Sequence, residues 1–356
     1  MECRRVYASD VTWYDTSVIK SSRFRLAALC IIVPWSLSSV GAAHDEIVIV
    51  GSSTVYPFSA LVADHFAKSG PFKMPSIRSS STSDGFQLLC NGVGAESPDI
   101  VAASRSMASS ERSACEAAGV RHITEIRIGY DSLILAGNAA RPGFNVTLDQ
   151  LWRAVAKFVP INGAFAANPY RNWRDIALTL PDLPIVLLGP APGHGTRDAL
   201  VSLVMEPSCA ASEAGSKLSA QQRAEICGAI RDDGRWADIE NLELILGKVA
   251  SNPQALGVMT YSYLEQFPYR IRAATVNGVA PTRLNISSGA YPISRPLFIY
   301  VNDQHLPLTN GLADYAAEFV SLCAAGANGY LLEEGLVPMP MPELLRQRRI
   351  VAGLQR

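Results

Sequence analysis

The chain has 356 residues, 48% apolar and 18% charged, with a formal net charge of -1. That is globular composition, with length enough for two lobes. Basic residues are scattered, so charge offers no footprint for nucleic acid or a membrane surface.

Residues 1–43 differ from the rest. Arg23 and Arg25 precede a mostly apolar run at 26–37, and small residues (SSVGAA) follow at 38–43. This order predicts a cleaved secretory signal, cut near Ala42 or Ala43. The run is too short to predict a membrane span. Cys30 sits inside it after Leu29, a poor context for lipid attachment.

The apolar, β-branched run 46–50 (EIVIV) predicts a strand. It feeds Gly51-Ser52-Ser53-Thr54, and then a helix with Phe58, Leu61, Val62 and Phe66 on one face and Gly70 as its stop. The first turn of a helix has unpaired N–H groups and the positive dipole end, and the hydroxyls add donors there. Such a turn is suited to an anion; alone, it is equally an ordinary capped helix. A second turn, 79–86 (SSSTSDGF), follows the strand-like 75–78. Asp84 and Gln87 have capping-box spacing, ahead of Phe86, Leu89 and Cys90. The next short strand, 100–103, ends at Ser104-Arg105. Residues 123–137 form a long apolar strand. Residues 145–180 read as helices and turns, with Trp152 and Trp173 in a core. A third turn, Gly193-His194-Gly195-Thr196, follows the strand-like 185–188. Thr196 is positioned to cap a helix with Leu200, Leu203 and Val204 inside, stopping before Pro207. Further strands are expected at 255–261 and 297–301, and helices at 311–324 and 342–355. The alternation predicts α/β layers with largely parallel sheets. Three Gly-, Ser- or Thr-rich turns converging on one point would wrap an oxyanion in N–H and O–H donors.

By spacing, Cys90 with Cys115 and Cys209 with Cys227 are plausible local disulfides, although spacing alone does not fix pairing. Cys323, in an apolar helical pattern, is expected as a buried free thiol. No cysteine or histidine spacing reads as a zinc site, and no metal or cofactor is expected.

GSSTVYPF at 51–58, STSDGFQLLC at 81–90, PDIVAASRSM at 98–107, IGYDSLILAGN at 128–138, GHGTRDAL at 193–200, NPQALGVMTYSY at 252–263 and YPISRPLFIYV at 291–301 together resemble PstS-type phosphate-binding proteins, the extracytoplasmic receptors of phosphate ABC transporters. The resemblance implies a two-lobed periplasmic-binding-protein-like (type II) α/β fold with a ligand cleft between the lobes. Lobe one would be 44–132 plus 262–356, and lobe two 133–261. It also implies phosphate as ligand, an inner-membrane permease as partner, a periplasmic location, a monomer, and neither catalysis nor nucleic-acid binding.

The implied ligand residues are Ser53, Thr54 and Val55 from the first turn; Thr82, Ser83 and Asp84 from the second; Arg105; and His194, Gly195, Thr196 and Arg197 from the third. Each has a plainer reading. Arg105 offers a planar fork to an oxyanion, or sits in a surface ion pair. Arg197 contacts the ligand, or pairs with Asp198 or another acid. Asp84 accepts the proton of monohydrogen phosphate, which sulfate lacks, or caps its helix. The chain departs from the best-known branch in three places. Arg105 stands where an Asp is common, Pro190 where an Arg is common, and His194 where a Ser is common. The His194 side chain would donate to the ligand or point to solvent. Two rival readings are a receptor for another oxyanion (sulfate, tungstate, a phosphonate) and a sensor or adhesin on the same fold. A hydrolase is a third, but the chain lacks a GxSxG elbow and an evident partner to orient His194.

Overall fold

A computed structural model describes residues 46–94 and 96–355. The expected signal segment and Cys30 lie outside the described residues. Nine strands join in one sheet. Strand β1 (Val48–Ser52) lies between β2 (Ser76–Ser80) and β3 (Ile100–Ala103), parallel to both. All four residues of β3 are buried, which is why its sequence is apolar without alternation. Strand β4 (Ile123–Asn138) is the spine. Parallel strands β5 (Leu187–Pro190), β6 (Trp236–Ile239) and β7 (Leu256–Thr260) make the far half. A short strand β8 (Ile271–Ala273) and the long β9 (Ser294–Asn302) complete the sheet.

β4 changes partners midway. Its residues 123–132 run antiparallel to β9, and 133–138 run antiparallel to β7 and β8. Its tail is buried without interruption from Ile128 to Gly137, matching the unbroken apolar sequence there. Residues 271–276, which the sequence reading put in lobe one, pair with 136–138 and 145–146. The chain rejoins β3 only through β9.

Helix α1 (Tyr56–Ser69) follows β1, α2 (Thr82–Leu89) follows β2, and α3 (Ser109–Ala117) follows β3. Cys90–Cys115 ties the end of α2 to α3, and Cys209–Cys227 closes a second local loop. Cys323 is not a free thiol; it is disulfide-bonded. The helix expected through it ends at Phe319, and a separate short turn spans Leu322–Ala325. Cys323 therefore leaves the apolar face and is half-buried.

The helix after the third turn also differs. Helix α4 (Gly195–Leu200) runs through a π-helical turn, Val201–Met205, into a segment at Glu206–Ala211. Pro207 falls in the first turn of that segment, where a missing N–H costs little. Trp152 and Trp173 are fully buried, as expected. A hairpin, Phe158–Ile161 with Ala164–Ala167, stands where helices and turns were expected.

Candidate functional site

The first two turns meet above the ends of β1, β2 and β3. Ser53 N–H donates to the Ser80 carbonyl (3.0 Å), Val55 N–H to the Ser52 carbonyl (3.0 Å), and Thr54 N–H to Ser52 Oγ (3.2 Å). Gly51, with φ +124, passes so close to β3 that a Cβ would lie 2.2 Å from the Ala102 carbonyl oxygen. Only glycine fits there. At the second turn Ser81, not Asp84, starts the helix. Ser81 Oγ accepts from Asp84 N–H (3.0 Å), and the Asp84 carboxylate accepts from Ser81 N–H (3.3 Å), a reciprocal cap. Thr82 Oγ1 accepts from Ser104 N–H (3.1 Å). The two turns, Ser104 and Arg105 line one cavity of about 500 Å³, which Asp198, Ser202 and Arg295 complete.

Two guanidiniums reach this cavity, and each already has a carboxylate. Arg105 donates to Glu111 through both Nη atoms (2.8 and 2.7 Å), and Nη2 also donates to Ser83 Oγ (3.0 Å). Those bonds raise the Arg105 pKa and hold the Glu111 carboxyl below its usual range. Arg295 stands opposite Asp131 in the β9–β4 pairing. Its Nη2 donates to Thr54 Oγ1 (2.8 Å) and Asp131 Oδ2 (3.3 Å), and Nη1 to Ser202 Oγ (3.3 Å). Both side chains of this pair are nearly buried, 10% and 9% exposed.

The third turn comes against the first. A Cβ on Gly195 would lie 3.3 Å from Thr54 Cα. Ser53 Oγ donates across the gap to Asp198 Oδ2 (3.1 Å). His194, rather than Thr196, caps α4: its Nδ1 accepts from Thr196 N–H (3.1 Å). Burial lowers the His194 pKa, outweighing the opposing pull of Asp198 and Glu243, so the neutral, accepting imidazole is favoured. A second cavity, about 450 Å³, lies across Ser53 and Thr54 and is lined by His194, Gly195, Thr196, Asp131, Glu243 and Tyr263 among others.

Of the residues expected in the site, Ser53, Thr54, Thr82 and Arg105 line the first cavity, and His194, Gly195 and Thr196 the adjoining one. Ser83 is linked to the first through Arg105. Three stand off both. Val55 is fully buried with its N–H spent in the turn. Asp84 is an exposed cap. Arg197 turns away to pair with Asp238 and donates to the Pro190 carbonyl (3.1 Å). Sequence reasoning missed Arg295, Asp131, Asp198 and Ser104. A signal for two of them existed. Asp131 and Arg295 are isolated charges at the edges of apolar runs, where a charge must be paired.

Fold and site together define a two-lobed α/β protein of the binding-protein type, with a cavity bordered by hydroxyls and carboxylate-paired guanidiniums. The chain belongs to the PBP superfamily: the family model described as "PBP superfamily domain" matches residues 38–322. Among curated relatives, Protein SphX of Synechococcus elongatus is 29% identical over 82% of this chain and 76% of its own length. The phosphate-binding protein PstS of Staphylococcus saprophyticus is 25% identical over 77% of this chain and 76% of its own. Among solved structures, a possible phosphate binding protein from Planctomyces limnophilus aligns with a TM-score of 0.66 at 23% identity, covering 89% of this chain and all of that one. An ABC-type phosphate transport receptor from Vibrio cholerae aligns with a TM-score of 0.57 at 21% identity, covering 83% of this chain and all of that one.

Proposed function

We propose that the chain is an extracytoplasmic receptor that captures inorganic phosphate and presents it to the permease of an ABC importer. One observation carries this reading: two hydroxyl-rich turns, with Arg105 and Arg295, border one small cavity, and the third turn borders the cavity adjoining it across Ser53 and Thr54. The named relatives that bind phosphate support it. The ligand residues are Ser53, Thr54, Thr82, Ser83, Arg105, Gly195 and Thr196 from the sequence reading, with Arg295 and Ser104 added. The proton acceptor moves from Asp84 to Asp198, the one carboxylate that both lines the oxyanion cavity and meets a first-turn hydroxyl. The lobes divide where β4 exchanges partners, and they close around the ligand. The protein acts as a periplasmic monomer. It performs no chemistry on the anion and binds no nucleic acid. Calorimetric titration with phosphate, arsenate and sulfate tests the reading. Phosphate and arsenate should bind at one site and sulfate far more weakly. A preference for sulfate, or binding of none of the three, overturns it.

A further inference from the structure

A separate cavity of about 980 Å³ lies at the other end of the far half of the sheet. It is bounded by residues 138–147, 174–183 and the Pro253-Gln254 approach to β7. β4 runs from Asp131 in the cleft to Asn138 at this cavity, about 23 Å along an extended strand. Arg141 lines it and is only 8% exposed. Its Nη1 donates to the carbonyls of Pro253 (3.4 Å) and Gln254 (3.2 Å), and its guanidinium lies over the Phe144 ring. Nη2 has no hydrogen-bond partner. No ion pair is formed by Arg141 among the described residues, and burial lowers its pKa. The carbonyls account for Nη1 and leave the charge unbalanced, which is costly in a buried place. Arg174 also lines the cavity and pairs with Asp182 (3.5 Å), which stands outside the lining, while Asp and Glu are absent from the described lining itself. Phe144, Leu180 and Leu183 supply an apolar wall.

We propose that this cavity binds a small organic carboxylate, its head group between Arg141 and Arg174 and its apolar body against Phe144, Leu180 and Leu183. The site is independent of the oxyanion cleft. The probe is hexanoate, titrated calorimetrically into the purified protein with and without saturating inorganic phosphate. Hexanoate should bind once, equally well with the cleft filled. Arg141→Met should weaken it by about tenfold or more, and Arg174→Met by about threefold. Arg174 is exposed, with 51% of its side chain accessible, so its variant keeps the fold if Arg141→Met does not. Amide shifts on adding hexanoate should then map to Phe144 and Thr179. No binding at millimolar hexanoate, loss of binding when phosphate is added, shifts confined to the cleft, or unchanged affinity in both variants would each overturn the proposal.

Discussion

Arg295 faces two ways: toward the cavity proposed to hold the oxyanion, and toward Asp131, whose side chain is only 9% exposed. Removing it therefore has two consequences that one further change separates. Arg295→Met should abolish measurable phosphate binding and cost about 3–5 kcal/mol of stability, because Asp131 is left buried and unpaired. Adding Asp131→Asn should recover much of the stability and none of the binding. Denaturant melts and calorimetry on both variants check this; full stability in the single variant would show that the pair is not structural. Asp84 and Asp198 make the second test. A carboxylate facing a protonated oxyanion accepts a hydrogen bond from its O–H, whereas an amide can turn its N–H₂ toward sulfate. Asp198→Asn should raise sulfate affinity relative to phosphate by about 1–3 kcal/mol, while Asp84→Asn should leave the ratio unmoved. A shift in the Asp84 variant instead would restore the first assignment. Much of the candidate cavity's lining was legible at this scale, because hydroxyls in a strand-to-helix turn declare themselves locally. Arg295 and Asp131 were not, because their meaning lies in a pairing between residues 164 apart in the chain.

At the scale of elements, helix starts were read correctly in place and sometimes wrongly in detail. The second helix begins with Ser81 and the third-turn helix with His194; both are capped by a side chain one or more residues earlier than expected. The missed hairpin carried its own signal. Asn162 and Gly163 have φ of 52 and 81, the turn that an Asn-Gly pair favours between two strands. The long strand β4 and the return β7 were clear from apolar length alone, whereas the order in which strands lie in the sheet was not written locally. One tie on the far half has a pH signature. Arg231, 3% exposed, donates to the carbonyls of Ala154 (3.0 Å) and Tyr170 (2.8 Å) and to Asp233 (2.6 Å). Arg231 pulls the Asp233 carboxyl down to about 2, against the opposing effect of burial. The folded pKa lies below the unfolded value. The pair's stabilisation is thus full above about pH 4 and is lost as pH falls toward 2. The Asp233 side chain is 37% exposed, so water screens the pair and the contribution is about 1 kcal/mol. Asp233→Asn should flatten the acid limb of a stability–pH curve between about pH 4 and 2. An unchanged limb would place the acid sensitivity elsewhere.

For the molecule as a whole, one close approach between the halves is Gly195 against Thr54, where a Cβ would stand 3.3 Å from the Thr54 Cα. Gly195→Val should hold the halves apart, weakening phosphate binding by about 1–3 kcal/mol with little change in melting temperature. Small-angle scattering with phosphate should show less compaction than wild type. Equal compaction and affinity would mean that the approach is not part of closure. The paired guanidiniums of the cleft carry a consequence for the water in which such a receptor works. Arg105 and Arg295 are neutralised by Glu111 and Asp131 before any ligand arrives. With Asp198 also in the lining, the pocket carries no net positive charge, so dissolved salt has no long-range attraction for an anion to screen. Salt should not weaken capture: between about 20 and 500 mM NaCl the dissociation constant should rise by less than about threefold. The association rate should stay in the range of uncharged encounters, about 10⁵–10⁶ M⁻¹s⁻¹, and not climb in dilute buffer. A steep ionic-strength slope in stopped-flow capture would show that one of the two carboxylates swings away when the anion comes in. A receptor built this way keeps its grip on scarce anion as its medium turns from fresh to brackish.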